Sequence, residues 1–570
     1  MKKEIAKLLK KAIDELGENA EIKEEEIESK IEIPNSENGD YAFPCFSLAE
    51  KIKIPPADMA VQIREKIKKI PEAIEDIQTK GPYINFFLDR IALAKNLISE
   101  IKKQGDNFGK TMEKNAKRTM VEFPSPNTNK PLHLGHLKNM SIGESVSRIL
   151  EFSGEKVIKA NLNNDRGIHI CKSMLAYKKF GKNKKPSKKL KPDHLVGDFY
   201  VLFAQKAKQN PKLENEAHEM LRKWEADEPE ILALARKMNG WALDGQKQTY
   251  EKFEIHHDKE YFESEIYSKG KEIVLEGVKK GIFQQQEDGS VKINLESEGL
   301  GEKYLLRPDG TSLYITQDLY LAKLKFDEFN LDSSIYITGS EQEYHFKVLF
   351  SLLKKLGFNL SEQLHHLSYG IINIPEGKMK SREGTVVDAD DLIEKIQDLV
   401  KKELIKRDKI SKKELEKRSL TIALATIKYQ LLKTDIKKTM VFNPKESIKF
   451  EGNTGPYLLY SYARANSILK KIKNKKSNKK NLTELEPHEI ELIKKFSEFQ
   501  KIVANSYKTL NPSLIANYSY QLAQTFNEFY HSCPVIGSEN EDFRISLVES
   551  FRQILKNSLY LLGIGVLEKM

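Results

Sequence analysis

The rhythm of apolar and polar positions divides this chain into distinct blocks. The first opens with a helical stretch from Ile5 to Leu16. Short strand-like runs follow at Ile31-Glu32-Ile33 and Tyr83-Ile84-Asn85-Phe86-Phe87-Leu88, and a helix from Arg90 to Lys103 closes the block. That order is α+β. From Ala116 to about Ala176 the pattern becomes strand (Arg118–Phe123), loop, helix from near Leu137, strand (Lys156–Leu162), loop and helix. This βαβα alternation predicts a parallel sheet. The lysine-rich Gly181–Lys189 reads as an exposed linker, and the charged helical stretch from Lys191 to about Gly281 interrupts the alternation as an insertion. Strand-like runs return at Ser334–Thr338 and His366–Ile372. After Val387 the chain reads helical to Leu562, with a lysine–asparagine loop at Lys473–Lys480. The expectation is an α/β multidomain protein. It has an N-terminal α+β domain (1–112), a parallel-sheet domain (113–390) with an insertion at about 185–300, a helical connector (391–450) and an all-helical domain (451–570).

Two segments carry chemistry. Ser125-Pro126-Asn127-Thr128-Asn129-Lys130-Pro131-Leu132-His133-Leu134-Gly135-His136 lies where the Arg118–Phe123 strand hands over to a helix. The carboxyl end of a parallel strand is where ligands bind, and a helix N-terminus favours anions. His133 and His136 can donate hydrogen bonds to phosphate oxygens, while Gly135 lets a flat ring lie against the backbone. Further on, Gly377-Lys378-Met379-Lys380-Ser381-Arg382-Glu383-Gly384 places three cations within five residues, suited to neutralising a departing polyphosphate. Either segment alone also suits an ordinary turn or a solvated basic loop; together they point to nucleotide chemistry.

Composition narrows the class. At 570 residues the chain needs roughly three to five domains. Its formal net charge of +11 suits a nucleic-acid partner. The three cysteines, Cys45, Cys171 and Cys533, have no Cys-x-x-Cys spacing, so neither a disulfide framework nor a zinc ribbon is expected. No apolar run is long enough to span a membrane and no signal peptide is evident, so a cytoplasmic protein without a membrane partner is expected.

The paired segments resemble the His-x-Gly-His and Lys-Met-Ser-Lys-Ser signatures of class I aminoacyl-tRNA synthetases. The whole chain resembles the arginyl-tRNA synthetases in particular. The resemblance rests on Val121–Asn127, Asn163-Asn164-Asp165-Arg166-Gly167, Arg307–Asp318, Gly339-Ser340-Glu341-Gln342, Glu451–Tyr457 and the closing Leu561–Met570. It implies a Rossmann-type catalytic domain, an N-terminal domain touching the tRNA elbow, and a helical anticodon-binding domain. It also implies ATP with Mg²⁺ as co-substrate, L-arginine and tRNA(Arg) as partners, and a monomer. The runner-up is another class I synthetase. A cysteinyl-type enzyme would need zinc-binding cysteines that this chain does not place suitably.

Carried over residue by residue, the resemblance gives His133, His136, Lys130 and Lys378 to catalysis and ATP, with Met379, Lys380, Ser381 and Arg382 around the nucleotide. Glu122, Ser125, Asn127, His136, Tyr314, Asp318 and Gln342 fall to arginine. A planar, permanently charged guanidinium requires a carboxylate, and Asp318 is the matched one. Tyr314, four residues earlier, shares its face on a helix; the plain alternative is a helix-start carboxylate beside a half-buried tyrosine. Tyr457, Tyr460 and Met570 fall to the anticodon loop and Asn85 to the D-loop, although the tyrosines equally suit a helical core and Asn85 a core strand. One departure stands out. Ser381 occupies the place of the second signature lysine, and Lys130 offers the substitute cation, leaving open which side chain bears the pyrophosphate charge.

Overall fold

The structure, a computed structural model, describes all residues except 18–21, 35–37, 112–115, 359–362, 374–386, 408–409 and 473–481. It falls into two compact units, Met1–Gly105 with Asn474–Ser497 and Glu528–Ser550, and Asp106–Lys473 with Glu498–Asn527 and Phe551–Met570. The C-terminal helices Pro487–Thr509, Ser513–Ser532 and Glu541–Leu561 therefore contribute to both.

The larger unit is organised by a five-stranded sheet in the order Leu364–Tyr369, Ser333–Gly339, Arg118–Glu122, Lys156–Asn163, Lys259–Phe262. Every neighbouring pair is parallel. The Arg118–Glu122 strand sits in the middle, and Thr119, Met120, Val121 and Glu122 are all buried, as expected of a strand covered on both faces. From it the chain steps outward through two strands, then returns to its other side. The strand order therefore reverses between Arg118–Glu122 and Ser333–Gly339. In open parallel sheets such a switch point is where ligands bind.

The helix Leu134–Phe152 is buried on nearly every face. It tolerates polar residues there because each has a partner. Lys138 Nζ donates to the Gly370 carbonyl at 2.6 Å and Asn139 Nδ2 to the Ile337 carbonyl at 2.7 Å. Gly143 is forced: a Cβ there would lie 2.2 Å from Cγ of Phe123, whose ring packs flat on the helix.

Two expectations need correction. The stretch 185–300 is not a single insertion, because Lys259–Phe262 within it joins the main sheet beside Lys156–Asn163. Helices Ile168–Phe180, Pro192–Gln209, Lys212–Glu225 and Pro229–Phe253 thus form the crossover between two parallel strands, around Leu195, Phe203, Trp224 and Met238. The strand was hidden because it is four residues long, charged and at the sheet edge, where one face pairs with nothing. A small antiparallel sheet (Gln284–Gln285, Val291–Asn294, Glu302–Leu306) follows it. Likewise, among the described residues Ile31-Glu32-Ile33 supplies only a single bridge, Glu32 to Ala42.

In the smaller unit the sheet is antiparallel, in the order Tyr41–Pro44, Tyr83–Leu88, Ile74–Lys80. Ile84 and Phe86 of the middle strand enter a core with Ile5, Leu9, Ile13 and Ile63.

Candidate active site

A cavity of about 990 Å³ opens at the switch point, and the ends of the sheet strands form its floor. Glu122, Gly339, Tyr369 and Glu263 reach it from strand ends or the residues just after them. His133, Gly135 and His136 form one wall, and Tyr314, Asp318, Gln342 and His345 another. Ser125 and Asn127 also line it. Ser125 sits at φ +53°. It is locked there because its N–H donates to Asn161 Oδ1 (3.1 Å) and its carbonyl accepts from Asn164 Nδ2 (2.9 Å). The Asn127 carbonyl accepts from Gln246 Nε2 at 3.0 Å.

The two histidines are oriented by their own helix start. His133 caps the helix Leu134–Phe152: its Nδ1 accepts from the Gly135 N–H at 3.1 Å, and His136 Nδ1 accepts from the His133 N–H at 3.1 Å. An imidazole that accepts at Nδ1 is neutral and carries its proton on Nε2. Burial, reinforced by the nearby Lys130 charge, pushes His133 down to about 3. His136 is driven well below its ordinary value by burial, His133 and Lys130. Both rings are therefore neutral donors. Gly135 is also required by its own turn. A Cβ there would lie 2.9 Å from Cε1 of His133, so the glycine makes room for the histidine ring itself.

The opposite wall is acidic. Tyr314 and Asp318 occupy successive turns of the helix Tyr314–Phe329, both facing the cavity. Asp318 Oδ2 accepts from His345 Nε2 at 2.6 Å. Glu122, 6% exposed, is paired with the fully buried Lys325, whose ammonium also lies 4.3 Å from the centre of the Tyr336 ring. Glu263, 4% exposed, has one carboxylate oxygen without a hydrogen-bond partner. Burial above all, with the Asp318 charge adding, pushes it up to about 8 against the pull of Arg166. Asp165 fixes this corner: it accepts from both the N–H and the hydroxyl of Ser264, at 2.8 and 2.7 Å.

Lys130 is half-buried and has no carboxylate partner among the described residues; burial lowers its pKa. It borders a second cavity of about 200 Å³, shared with His133, His194 and Asp388, on the other side of the His133 ring. Lys378, Met379, Lys380, Ser381 and Arg382 lie outside the described residues. The segment just after them is anchored. The Leu134 N–H donates to the Val387 carbonyl (3.0 Å) and the Ala389 N–H to the Leu132 carbonyl (3.0 Å).

Next to this anchor, His194 Nε2 lies 3.5 Å from both Asp388 and Asp390, and Lys191 Nζ lies 2.6 Å from Asp390. Donor atoms of Asp193, His194 and Asp390 are close enough together to suit a metal ion. Lys191 and His194 already face these carboxylates, and the pull of Asp390 above all, with the Asp388 and Asp193 charges adding, outweighs burial and holds His194 up at about 9.

Three family models match in chain order. Residues 3–88 match the arginyl tRNA synthetase N terminal domain, 97–443 the class I (R) tRNA synthetase catalytic domain, and 458–570 the DALR anticodon binding domain. An arginine–tRNA ligase of Treponema denticola is 47% identical over 94% of both chains, and one of Borrelia duttonii 43% identical over 100% of this chain and 99% of the other. The chain belongs to the arginyl-tRNA synthetase family. The Thermus thermophilus arginyl-tRNA synthetase has the same fold, with a TM-score of 0.78 at 23% identity over the full length of both chains.

The residues expected at the tRNA are not among those lining the cavity. Asn85 is 4% exposed in the middle strand of the small antiparallel sheet, between Ala42 and Gln78, on the face opposite Ile84 and Phe86. In the helix Gly455–Ile472, Tyr457 Oη accepts from Asn527 Nδ2 at 2.8 Å, and the Arg464 guanidinium lies 4.8 Å from the centre of the Tyr460 ring. Met570 is half-buried at the chain end.

Sequence reading missed Glu263, His345 and Lys325. Lys325 left a signal: it falls seven residues after Asp318, on a helix side otherwise made of Ile315, Leu319, Ala322 and Phe326. A lysine in a buried stripe implies a buried acid. His345 and Glu263 left none.

The His194 cluster gives a stability prediction. A histidine raised from near 6.5 to about 9 stabilises the fold fully below pH 6.5, and that contribution is lost as pH rises through about 9. After discounting for partial exposure it is on the order of 2 kcal/mol. Urea midpoints should therefore fall more between pH ~7 and ~10 in the wild type than in His194→Gln. Parallel curves would remove the cluster from the energetics.

Proposed function

We propose that the switch-point cavity is where this arginyl-tRNA synthetase makes arginyl-adenylate and then hands arginine to the terminal adenosine of tRNA(Arg). In the first step a carboxylate oxygen of arginine attacks the α-phosphorus of ATP, the bond from that phosphorus to the bridging oxygen breaks, and pyrophosphate leaves. In the second, a ribose hydroxyl of the tRNA attacks the acyl carbon and AMP leaves. Little covalent work falls to the protein; positioning and charge neutralisation dominate.

One observation carries this reading: two neutral Nε2–H donors and an acidic wall with one unpartnered buried carboxylate oxygen face the same cavity. His133 and His136 donate to phosphate and ribose. Asp318, Tyr314 and Glu263 read the guanidinium, whose charge would draw Glu263 into its ionised form. Ser125, Asn127 and Gln342 hold the α-amino and carboxylate end, and Glu122, its charge matched by Lys325, offers a further carboxylate beside them. Mg²⁺ accompanies ATP, held largely by phosphates and water, with no dedicated cage required. Asn85, Tyr457, Tyr460 and Met570 contact tRNA, with splayed bases stacking on the tyrosine rings. Among the described residues no helix is long and apolar enough to cross a membrane; a cytoplasmic monomer completes the reading.

Arginine-dependent ATP–pyrophosphate exchange, run with tRNA present, tests it. Exchange with another amino acid and none with arginine would refute it. The same assay decides the cation question. If Lys130 replaces the lysine missing at Ser381, Lys130→Ala should reduce exchange as severely as Lys378→Ala, and Ser381→Lys should partly restore the Lys130→Ala enzyme. A silent Lys130→Ala would shift the role to Lys380 or Arg382.

A further inference from the structure

Asp318 is claimed by two cations. In the structure its Oδ2 accepts from His345 Nε2 at 2.6 Å, and both side chains are partly exposed to the cavity. Under the function proposed above, on which this inference rests, the same carboxylate must also hold a guanidinium. A carboxylate has lone pairs enough for both partners when one of them is neutral. A neutral imidazole protonated on Nε2 donates to Oδ2, fixes the carboxylate and leaves its negative charge for the substrate. A second proton enters on Nδ1, leaves that hydrogen bond intact and cancels the charge.

We propose that His345 and the guanidinium of arginine share Asp318, so that arginine binds the form in which His345 is neutral and drives off its proton.

The surroundings favour a histidine poised to respond. Burial draws His345 toward the neutral form, but the hydrogen bond to Asp318 and its charge outweigh this and hold it above its ordinary value. A guanidinium on Asp318 removes that excess and adds repulsion, so the proton leaves. By linkage, arginine affinity must then fall as pH drops through the His345 transition, by at most tenfold per pH unit.

Other ionisable groups face this pair. His366, on the neighbouring strand, is lowered chiefly by burial. Glu343, on the helix of His345, accepts from the Ser368 hydroxyl at 2.7 Å. Glu122 and Lys325 neutralise one another. Glu263, on the same acidic wall, is the serious competitor, because it too would release a proton when a cation arrives.

Calorimetry of arginine binding to the full-length enzyme, in buffers of different ionisation enthalpy, counts the protons released. Between about pH 6 and 7.5 Glu263→Gln, in which only His345 can supply the proton, should still release one, most at the acidic end; the wild type should release this and the Glu263 proton, and adding His345→Gln, which keeps a donor but cannot charge, to Glu263→Gln should abolish release. In Glu263→Gln the arginine KM should rise up to about tenfold over that range toward low pH while the ATP KM stays level, and adding His345→Gln should flatten the arginine profile. Absence of proton release from the wild type, or its loss in Glu263→Gln, overturns the proposal without reference to whether His345→Gln folds. An arginine KM unaffected by Asp318→Asn would overturn it together with the assignment of Asp318. An Asp318-dependent KM without proton release would overturn this inference alone.

Discussion

Asp318→Asn raises the arginine KM by at least ~30-fold and leaves the ATP KM within a few-fold: that is the expected result of exchange kinetics with both substrates varied. The amide keeps the shape and one acceptor but removes the charge that a guanidinium needs. Truncating one partner of a buried, hydrogen-bonded charge pair costs ~2–5 kcal/mol; because Asp318 is partly exposed, the lower end applies, and about 1.4 kcal/mol corresponds to tenfold. Glu263 remains on the same cavity and limits the loss. A Glu263→Gln change in the Asp318→Asn background should therefore cost more than it does alone, since the two carboxylates serve one charge. Equal effects on both substrates would show that Asp318 does not read the arginine side chain.

Which parts of this site could be read from sequence follows from how far apart its residues are along the chain. His133, Gly135, His136, Ser125 and Asn127 are contiguous, and the strand-to-helix handover that presents them is itself a sequence pattern. Tyr314 and Asp318 are one helical turn apart, so their shared face was available from spacing alone. Glu263 and His345 reach the cavity only because Lys259–Phe262 joins the sheet edge and the helix Glu343–Lys355 starts beside the Ser333–Gly339 strand. No local pattern announces either event. The orientation of the histidines was invisible for another reason: it depends on two backbone N–H groups of their own turn finding ring nitrogens as acceptors. The same geometry gives Gly135 the task of leaving room for the His133 ring. The domain order was legible because composition changes where architecture changes. The crossover helices were misread as an insertion because the strand that ends them is too short and too charged to show a β pattern.

His136→Ala should lower kcat for adenylate formation by at least ~100-fold, the scale of losing one preorganised donor, with tRNA affinity nearly unchanged. Protonation decides how these rings act. Both imidazoles have Nδ1 committed to a backbone N–H, so a proton there would break the helix start it caps. Burial adds to this, holding His133 near 3 and His136 well below its ordinary value. At any working pH each ring is thus neutral and donates through Nε2 alone. Charge that grows on the phosphate oxygens in the transition state is met by fixed dipoles that need no reorganisation, and the gain is larger there than in the ground state. A consequence separates this from acid catalysis by imidazolium. Between about pH 5.5 and 8 the kcat at saturating arginine and ATP should show no limb that disappears in His133→Gln or His136→Gln, because neither ring titrates there. A histidine-dependent acidic limb in kcat would mean that the rings act charged, against the geometry of their turn. The arginine KM, by contrast, should carry the pH dependence assigned to His345. The two histidine sets are then distinguishable in one data set: those at the helix start act on kcat without titrating, and the one beside Asp318 titrates and acts on KM.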